Sequence, residues 1–175
     1  LAMPDPKYLR FPVVTAGAEY LVMGSLMRRN ILAYKAPPGN EGYDLICIHP
    51  DPRHRPRKTE KPQVRVQVKS RYQSDCDRGF PVKEVSLDAF EFLVVVFLNI
   101  GNFYHGRDGS DGIKPVECFT FSKDFIRDHH DPRYSWEKVN LRGIADEIAP
   151  FQDEAGFEQI AQALGIPKPM RSARQ

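Results

Sequence analysis

Four polar side chains in this sequence have types and spacings that suit metal-assisted hydrolysis. In residues 64–70, VRVQVKS, valines alternate with polar residues, so a strand would place Gln67 and Lys69 on the same face. Asp44 and Glu19 each stand beside apolar residues, where a buried carboxylate is costly without a partner. Two carboxylates, an amide oxygen and an ammonium suit a hard divalent cation such as Mg²⁺, with the lysine beside its bound water.

Glu19 belongs to a segment with helical spacing. Residues 16–30 are predicted to form the first helix, with Met23, Leu26 and Met27 on one apolar stripe. Glu19 is at helical spacing from the same stripe, so its side chain is expected to point inward toward the protein interior.

Asp44, Gln67 and Lys69 belong to a predicted antiparallel hairpin. Residues 43–48 and 64–70 are predicted strands, and the proline-rich, basic segment between them is a loop. If the strands pair so that Asp44 lies near Gln67, these two residues and Lys69 gather at one end of the sheet. Glu19 can then approach that end from the packed helix.

Further elements complete an alternating pattern of helices and strands. A short helix is predicted over residues 86–91, followed by a buried strand over 92–98 and another strand over 116–121. Ser122 is predicted to cap a helix, residues 137–141 are a candidate strand, and residues 153–164 form an amphipathic helix that Gly165 ends.

At these residues the sequence resembles the PD-(D/E)xK phosphodiesterase superfamily, also called the restriction-endonuclease-like fold. The resemblance rests on GAEYLV at residues 17–22, YDLI at 43–46 and QVK at 67–69, and it covers roughly residues 16–98. It implies an α/β fold with an α-β-β-β-α-β core, a mixed central sheet and helices on both faces.

The resemblance also implies roles for the four residues. Glu19 and Asp44 would bind a Mg²⁺ or Mn²⁺ ion, Gln67 would take the third ligand position, and Lys69 would be the catalytic lysine. Gln67 stands where the family usually has an acid, although glutamine occurs there in active members. The implied function is a metal-dependent endonuclease that hydrolyses phosphodiester bonds in DNA. The alternative is a catalytically degenerate member of the fold that binds nucleic acid or a protein partner.

Each residue also has a plainer explanation. Glu19 could lie on a helix surface, and Asp44 could be a turn residue after the glycine- and proline-rich segment 37–42. Gln67 and Lys69 could form a solvated strand face. If Glu19 were exposed and remote from Asp44, an interaction protein of another α/β fold would be favoured.

Length, charge and cysteine content narrow the class of protein. The 175 residues suit one domain, predicted as residues 16–175 with a C-terminal helical extension. Residues 1–15 are predicted to be an N-terminal extension, and its first two residues are interpreted as a cloning remnant. The net charge of +2 indicates that any DNA contact is made by a local patch. The number of cysteines is odd, and the three of them, Cys47, Cys76 and Cys118, show no CxxC spacing. This cysteine content favours a protein of the reducing cytoplasm. No membrane span is expected, and a homodimer is compatible with the sequence.

Two further segments bear on function. The basic tip of the hairpin, residues 53–61, lies at the far end of the strands from Lys69, so it is interpreted as a solvated loop or a peripheral phosphate contact. His129, His130 and Asp131 are interpreted as surface residues because adjacent histidines rarely face one metal.

Overall fold

The computed structural model describes residues 13–74, 79–100, 113–133 and 138–170. Cys76 and residues 1–12 of the predicted N-terminal extension lie outside the described residues. The helices and strands, in chain order, are α1 (Val14–Arg28), β1 (Leu32–Lys35), β2 (Leu45–Ile48), β3 (Val64–Arg71), β4 (Gly79–Pro81), β5 (Phe92–Phe97), β6 (Glu117–Ser122), α2 (Lys123–Asp128), β7 (His130–Asp131), β8 (Lys138–Asn140), α3 (Ala145–Ile148) and α4 (Asp153–Ala163).

The main sheet has five strands in the order β1-β2-β3-β5-β6. Strands β3 and β5 are parallel, whereas the other three neighbouring pairs are antiparallel, so the sheet is mixed. Strand β5, with the sequence FLVVVF, is buried at every position because both faces of the sheet are covered. A small second sheet, in the order β4-β8-β7, lies outside the main one.

Helices cover both faces of the main sheet. Val64, Val66 and Val68 of β3 share a core with buried residues of α1 and α4. On the other face, Leu93 and Val95 of β5 share a second core with residues of α2 and α3. The mixed sheet with helices on both faces, which the sequence predicts, is therefore confirmed.

The helix predicted over residues 86–91 is wrong. A single 3-10 turn, Glu84–Ser86, lies in this region, and the chain passes from β3 to β5 through β4 and that turn. Leu87 and Phe90 are both buried, so the apolar spacing that favoured a helix is satisfied by a compact turn. A six-residue segment is too short for helical spacing to be decisive, because tertiary burial outweighs a weak local preference.

The region around His129 also differs from the interpretation made from sequence. His129 and His130 are half-buried rather than on the surface. The Nε2 atom of His129 lies 3.0 Å from a carboxylate oxygen of Glu147, and that of His130 lies 2.9 Å from the Val82 carbonyl oxygen. Both rings therefore help to hold the smaller elements together.

Candidate active site

Asp44 lies where β2 and β3 separate. Its backbone N–H donates to the Val66 carbonyl at 2.9 Å, and its own carbonyl accepts from the Ala36 N–H at 2.8 Å. Its side-chain Oδ2 accepts a hydrogen bond of 2.7 Å from the N–H of Val68. The carboxylate thus replaces a backbone acceptor of the strand ladder, which fixes its position. The other oxygen, Oδ1, accepts no hydrogen bond from the residues that the structure describes.

The strand register places Asp44 beside Gln67. Leu45 is paired with Val66 in the antiparallel ladder, so one step outward brings Asp44 opposite Gln67. Lys69 lies two residues further along β3 and therefore on the same face as Gln67. The negative charge of Asp44 acts to raise the pKa of Lys69, which puts the two side chains within electrostatic reach. The predicted alignment of the hairpin is present in the structure.

Lys69 has an unusual electrostatic environment for a lysine. Its pKa is lowered, first because burial disfavours the ammonium, while Asp44 acts in the opposite direction and the nearby Arg71 adds to the lowering. Among the described residues no carboxylate forms an ion pair with Lys69. A half-buried ammonium without an ion-pair partner is costly, and such groups are concentrated at functional sites.

Glu19 lies on α1 with its side chain 15% exposed. The fully buried stripe of the helix consists of Ala18, Val22 and Leu26, so Glu19 lies at its edge. The sequence predicts Met27 on the buried stripe, but this residue is 45% exposed. The stripe is therefore rotated relative to the prediction, and Glu19 is partly rather than fully enclosed.

Lys35 of β1 forms an ion pair with Glu19. Its Nζ also lies 5.3 Å from the centre of the Tyr20 ring, a distance typical of a cation–π contact. The sequence pattern alone does not indicate a role for Lys35. The pairing of β1 with β2 would indicate this role for Lys35. Lys35 is opposite Leu45 and is therefore adjacent in space to Asp44.

Glu19 and Asp44 line the same cleft. Its volume is about 590 Å³, and it opens at the end of the sheet where β1 and β2 are joined. Besides these two acids, it is lined by Tyr20, Lys35, Ala36, Pro37, Pro38, Gly39, Asn40 and Tyr43. Gln67 and Lys69 are not part of this lining. They lie on the face of β3 opposite the valines that pack against α1, so Asp44 is the residue common to the cleft and to the Lys69 face.

The donor set suits a hydrated Mg²⁺ ion better than a cation enclosed by protein ligands. Within the described ranges, no group of three or more His, Cys, Asp or Glu residues could hold a metal ion. Mg²⁺ needs only one or two carboxylates because it keeps several waters, and the cleft has room for them. The free Oδ1 of Asp44 could supply one carboxylate ligand, and the Glu19 carboxylate could supply a second if it left Lys35.

Comparison with known proteins identifies the fold. No protein-family model matches the sequence, and no curated protein matches it. Among solved structures, the chain is similar to a bacterial homing endonuclease, I-Ssp6803I, with a TM-score of 0.50 and 15% sequence identity. The similarity covers 89% of this chain and 96% of that chain. It shows that the mixed sheet and its flanking helices have the arrangement found in a nuclease.

The helices of the described ranges are all too short or too polar to cross a membrane.

Proposed function

We propose that this protein is a metal-dependent nuclease that hydrolyses phosphodiester bonds in DNA. The observation that carries the proposal is the half-buried ammonium of Lys69, which lacks an ion-pair partner among the described residues and lies beside Asp44. The similarity of fold to a homing endonuclease supports DNA as the substrate. The assignment to the PD-(D/E)xK superfamily belongs to the same proposal, and it rests on the residues Glu19, Asp44, Gln67 and Lys69.

Glu19 and Asp44 would hold a Mg²⁺ or Mn²⁺ ion through their carboxylate oxygens, and the Gln67 amide oxygen would be an additional donor. When bound, such an ion supplies a Lewis acid and lowers the pKa of its bound water. Lys69 lies within electrostatic reach of Asp44, and there it would orient the attacking water or stabilise negative charge that develops on the phosphate. Its lowered pKa makes proton transfer at Nζ easier than for an ordinary lysine.

Two observations favour a second candidate, a catalytically degenerate member of the fold that binds nucleic acid or a protein partner. Gln67 is neutral, so it contributes less to cation binding than an acid would. Glu19 is already neutralised by Lys35. Both would reduce the metal affinity of the site, and a functional assay separates the two candidates.

The buried cysteines agree with a reducing compartment, and we propose the cytoplasm. Cys47 and Cys118 are free thiols, and burial raises the pKa of each to about 12, with the Asp153 charge adding to the effect at Cys118. Thiols of such high pKa are unreactive and serve as small apolar groups. A homodimer stays a prediction.

A plasmid-nicking assay tests the nuclease proposal. The wild-type protein should nick supercoiled DNA in Mg²⁺ or Mn²⁺ and lose this activity in EDTA. Lys69→Ala should abolish nicking, whereas Lys83→Ala, which changes an exposed lysine, should retain it. Wild-type protein that binds DNA but never nicks it with either metal would favour the degenerate alternative.

A further inference from the structure

The loop that joins β2 and β3, residues 49–63, has a defined conformation. Asp51 accepts a hydrogen bond of 2.9 Å from the Arg53 N–H and forms an ion pair with the guanidinium of the same residue. The rings of His49 and His54 stack with centroids 3.8 Å apart, and His54 Nε2 lies 3.0 Å from a carboxylate oxygen of Glu60. We call residues 49–63 the basic loop.

The basic loop is also attached to the end of α4. The Lys61 N–H donates to the Ala163 carbonyl at 2.7 Å. Gly165, with φ of +75°, lies against Glu60 so closely that a Cβ built on it would be 2.5 Å from the Glu60 carboxyl carbon. Contacts within the loop and to α4 therefore restrict its backbone, which reduces the entropy cost of ordering the loop when it binds a partner.

The basic loop carries a net positive charge. It has five basic residues and two acidic ones, a net charge of +3 with neutral histidines, whereas the whole chain has +2. Both acids are used within the loop, Asp51 by Arg53 and Glu60 by His54 and Arg57. Arg55, Lys58 and Lys61 are exposed and form no ion pair with any described residue. Arg55 donates to the Arg53 and His54 carbonyl oxygens and Lys61 acts electrostatically on Glu91, and these contacts leave all three cations exposed to solvent.

The composition of the basic loop points to phosphates rather than to a protein surface or to bases. Energetically dominant residues of protein interfaces include Trp and Tyr as well as Arg, and binding of single strands uses aromatic rings for stacking. The loop has no Trp, Tyr, Phe, Leu, Ile, Val or Met, and its two histidine rings stack on each other. What it offers is several long, exposed cations on a backbone restrained by hydrogen bonds.

We propose that the basic loop is a second DNA-binding site of this protein, which holds the phosphate backbone of duplex DNA through Arg55, Lys58 and Lys61. The inference rests on the proposed nuclease function. The four residues of β2 separate Asp44 from the loop by about 13 Å at roughly 3.3 Å per residue. With roughly 3.4 Å per base pair, the loop would contact phosphates about four or more base pairs from the reacting bond. It would fix the duplex in position without taking part in cleavage.

The test compares two triple variants with the same change in charge. Arg55→Gln/Lys58→Gln/Lys61→Gln removes the exposed cations of the loop that form no ion pair with a described residue, and it leaves Asp51, His54 and Glu60 in place. Lys83→Gln/Arg142→Gln/Lys168→Gln removes three exposed cations elsewhere. Duplex affinity is measured in EDTA over a series of salt concentrations. The loop variant should bind at least about tenfold more weakly at moderate salt, and the slope of log affinity against log salt should fall by about three.

The control variant should keep the wild-type slope, and both variants should keep the wild-type melting temperature. The nicking rate of the loop variant at saturating DNA should equal that of the wild type, because its cations lie away from Lys69. The proposal of a second DNA-binding site would be wrong if the loop variant kept the wild-type salt slope. It would also be wrong if duplex affinity fell equally in the loop variant and the control variant. If the nuclease proposal is wrong, the wild-type protein would bind duplex DNA but not nick it. The comparison of duplex affinities would still decide whether the loop binds DNA.

Discussion

The Asp44 carboxylate is bonded to the Val68 N–H at 2.7 Å through Oδ2, while its Oδ1 accepts no hydrogen bond within the described part of the chain. One oxygen therefore has a structural role, because it satisfies a donor of β3 where the strand ladder ends. The other is free to bind a cation. This division makes it possible to separate the structural and chemical roles of Asp44 by substitution.

Asp44→Asn should abolish metal-dependent nicking while keeping the fold. The amide oxygen can still accept from the Val68 N–H, but the negative charge that attracts a cation is gone. DNA binding in EDTA should persist or improve, because one charge that repels phosphates is removed. The measurement pairs nicking in Mg²⁺ with duplex affinity in EDTA at fixed salt. A variant that still cuts at the wild-type rate would remove Asp44 from the site.

Asp44→Ala provides the comparison for stability. Without an acceptor, the Val68 N–H is left unsatisfied at a nearly buried position, so unfolding free energy should fall by about 1–3 kcal/mol relative to wild type. Urea unfolding of both variants measures this difference. Equal stability of the alanine and asparagine variants would show that the Asp44–Val68 hydrogen bond contributes little.

Lys69→Met should stabilise the folded protein and abolish nicking. The pKa of Lys69 is lowered on folding, mainly by burial, so the unfolded chain binds the proton more tightly. Stability of the wild type therefore rises with pH between the folded pKa and the ordinary value of 10.5. The gain in melting temperature from Lys69→Met should be largest at neutral pH and should shrink as pH approaches 10.5. A gain that is constant with pH would indicate better packing rather than removal of a buried charge.

Two glycine substitutions should have opposite effects on stability. Gly24 lies within α1, and an alanine methyl group there would meet no described atom within 4 Å beyond its chain neighbours and the backbone of its own helix, so Gly24→Ala should stabilise the protein by about 0.5–1 kcal/mol. Gly165 has a positive φ and lies against Glu60, so Gly165→Ala should cost about 1–3 kcal/mol. Chemical unfolding of the two variants checks both values, and a neutral Gly165→Ala would mean that Glu60 moves aside without loss.

The hairpin part of the site was predictable from the sequence because strand geometry is nearly fixed. Alternation with period two sets the common face of Gln67 and Lys69, and the antiparallel pairing brings Asp44 opposite Gln67. The core strand of residues 92–98 was predictable for a similar reason, since its continuous apolar run suits a strand buried on both faces.

The helical part was less predictable. Helix α1 has several apolar residues around its circumference, so the choice between a stripe with Met27 and a stripe with Val22 depends on tertiary packing. The ion pair of Glu19 with Lys35 also depends on how α1 crosses β1, which local sequence does not specify. The sequence alone therefore indicates which residues are near the sheet end, but not that a lysine of β1 lies among them.

The ion pair between Glu19 and Lys35 should weaken metal binding in the wild-type protein. A cation that binds Glu19 must compete with the Lys35 ammonium, which also contacts the Tyr20 ring. Lys35→Met removes this competition and should raise Mn²⁺ affinity by roughly two- to fivefold, the range expected for a partly exposed ion pair. Glu19→Gln should lower the affinity, because it removes one of the two carboxylates of the cleft.

Direct binding of Mn²⁺, measured by electron paramagnetic resonance without DNA, distinguishes these effects from changes in catalysis. Lys83→Met is the matched control, because it removes an exposed lysine and should leave Mn²⁺ affinity unchanged. The double variant Lys35→Met/Glu19→Gln should bind no more tightly than Glu19→Gln alone, since the benefit of removing Lys35 depends on the carboxylate that it neutralises. If Lys35→Met increased affinity equally with and without Glu19, Lys35 would act only through its charge in the cleft, and Glu19 would not be a ligand.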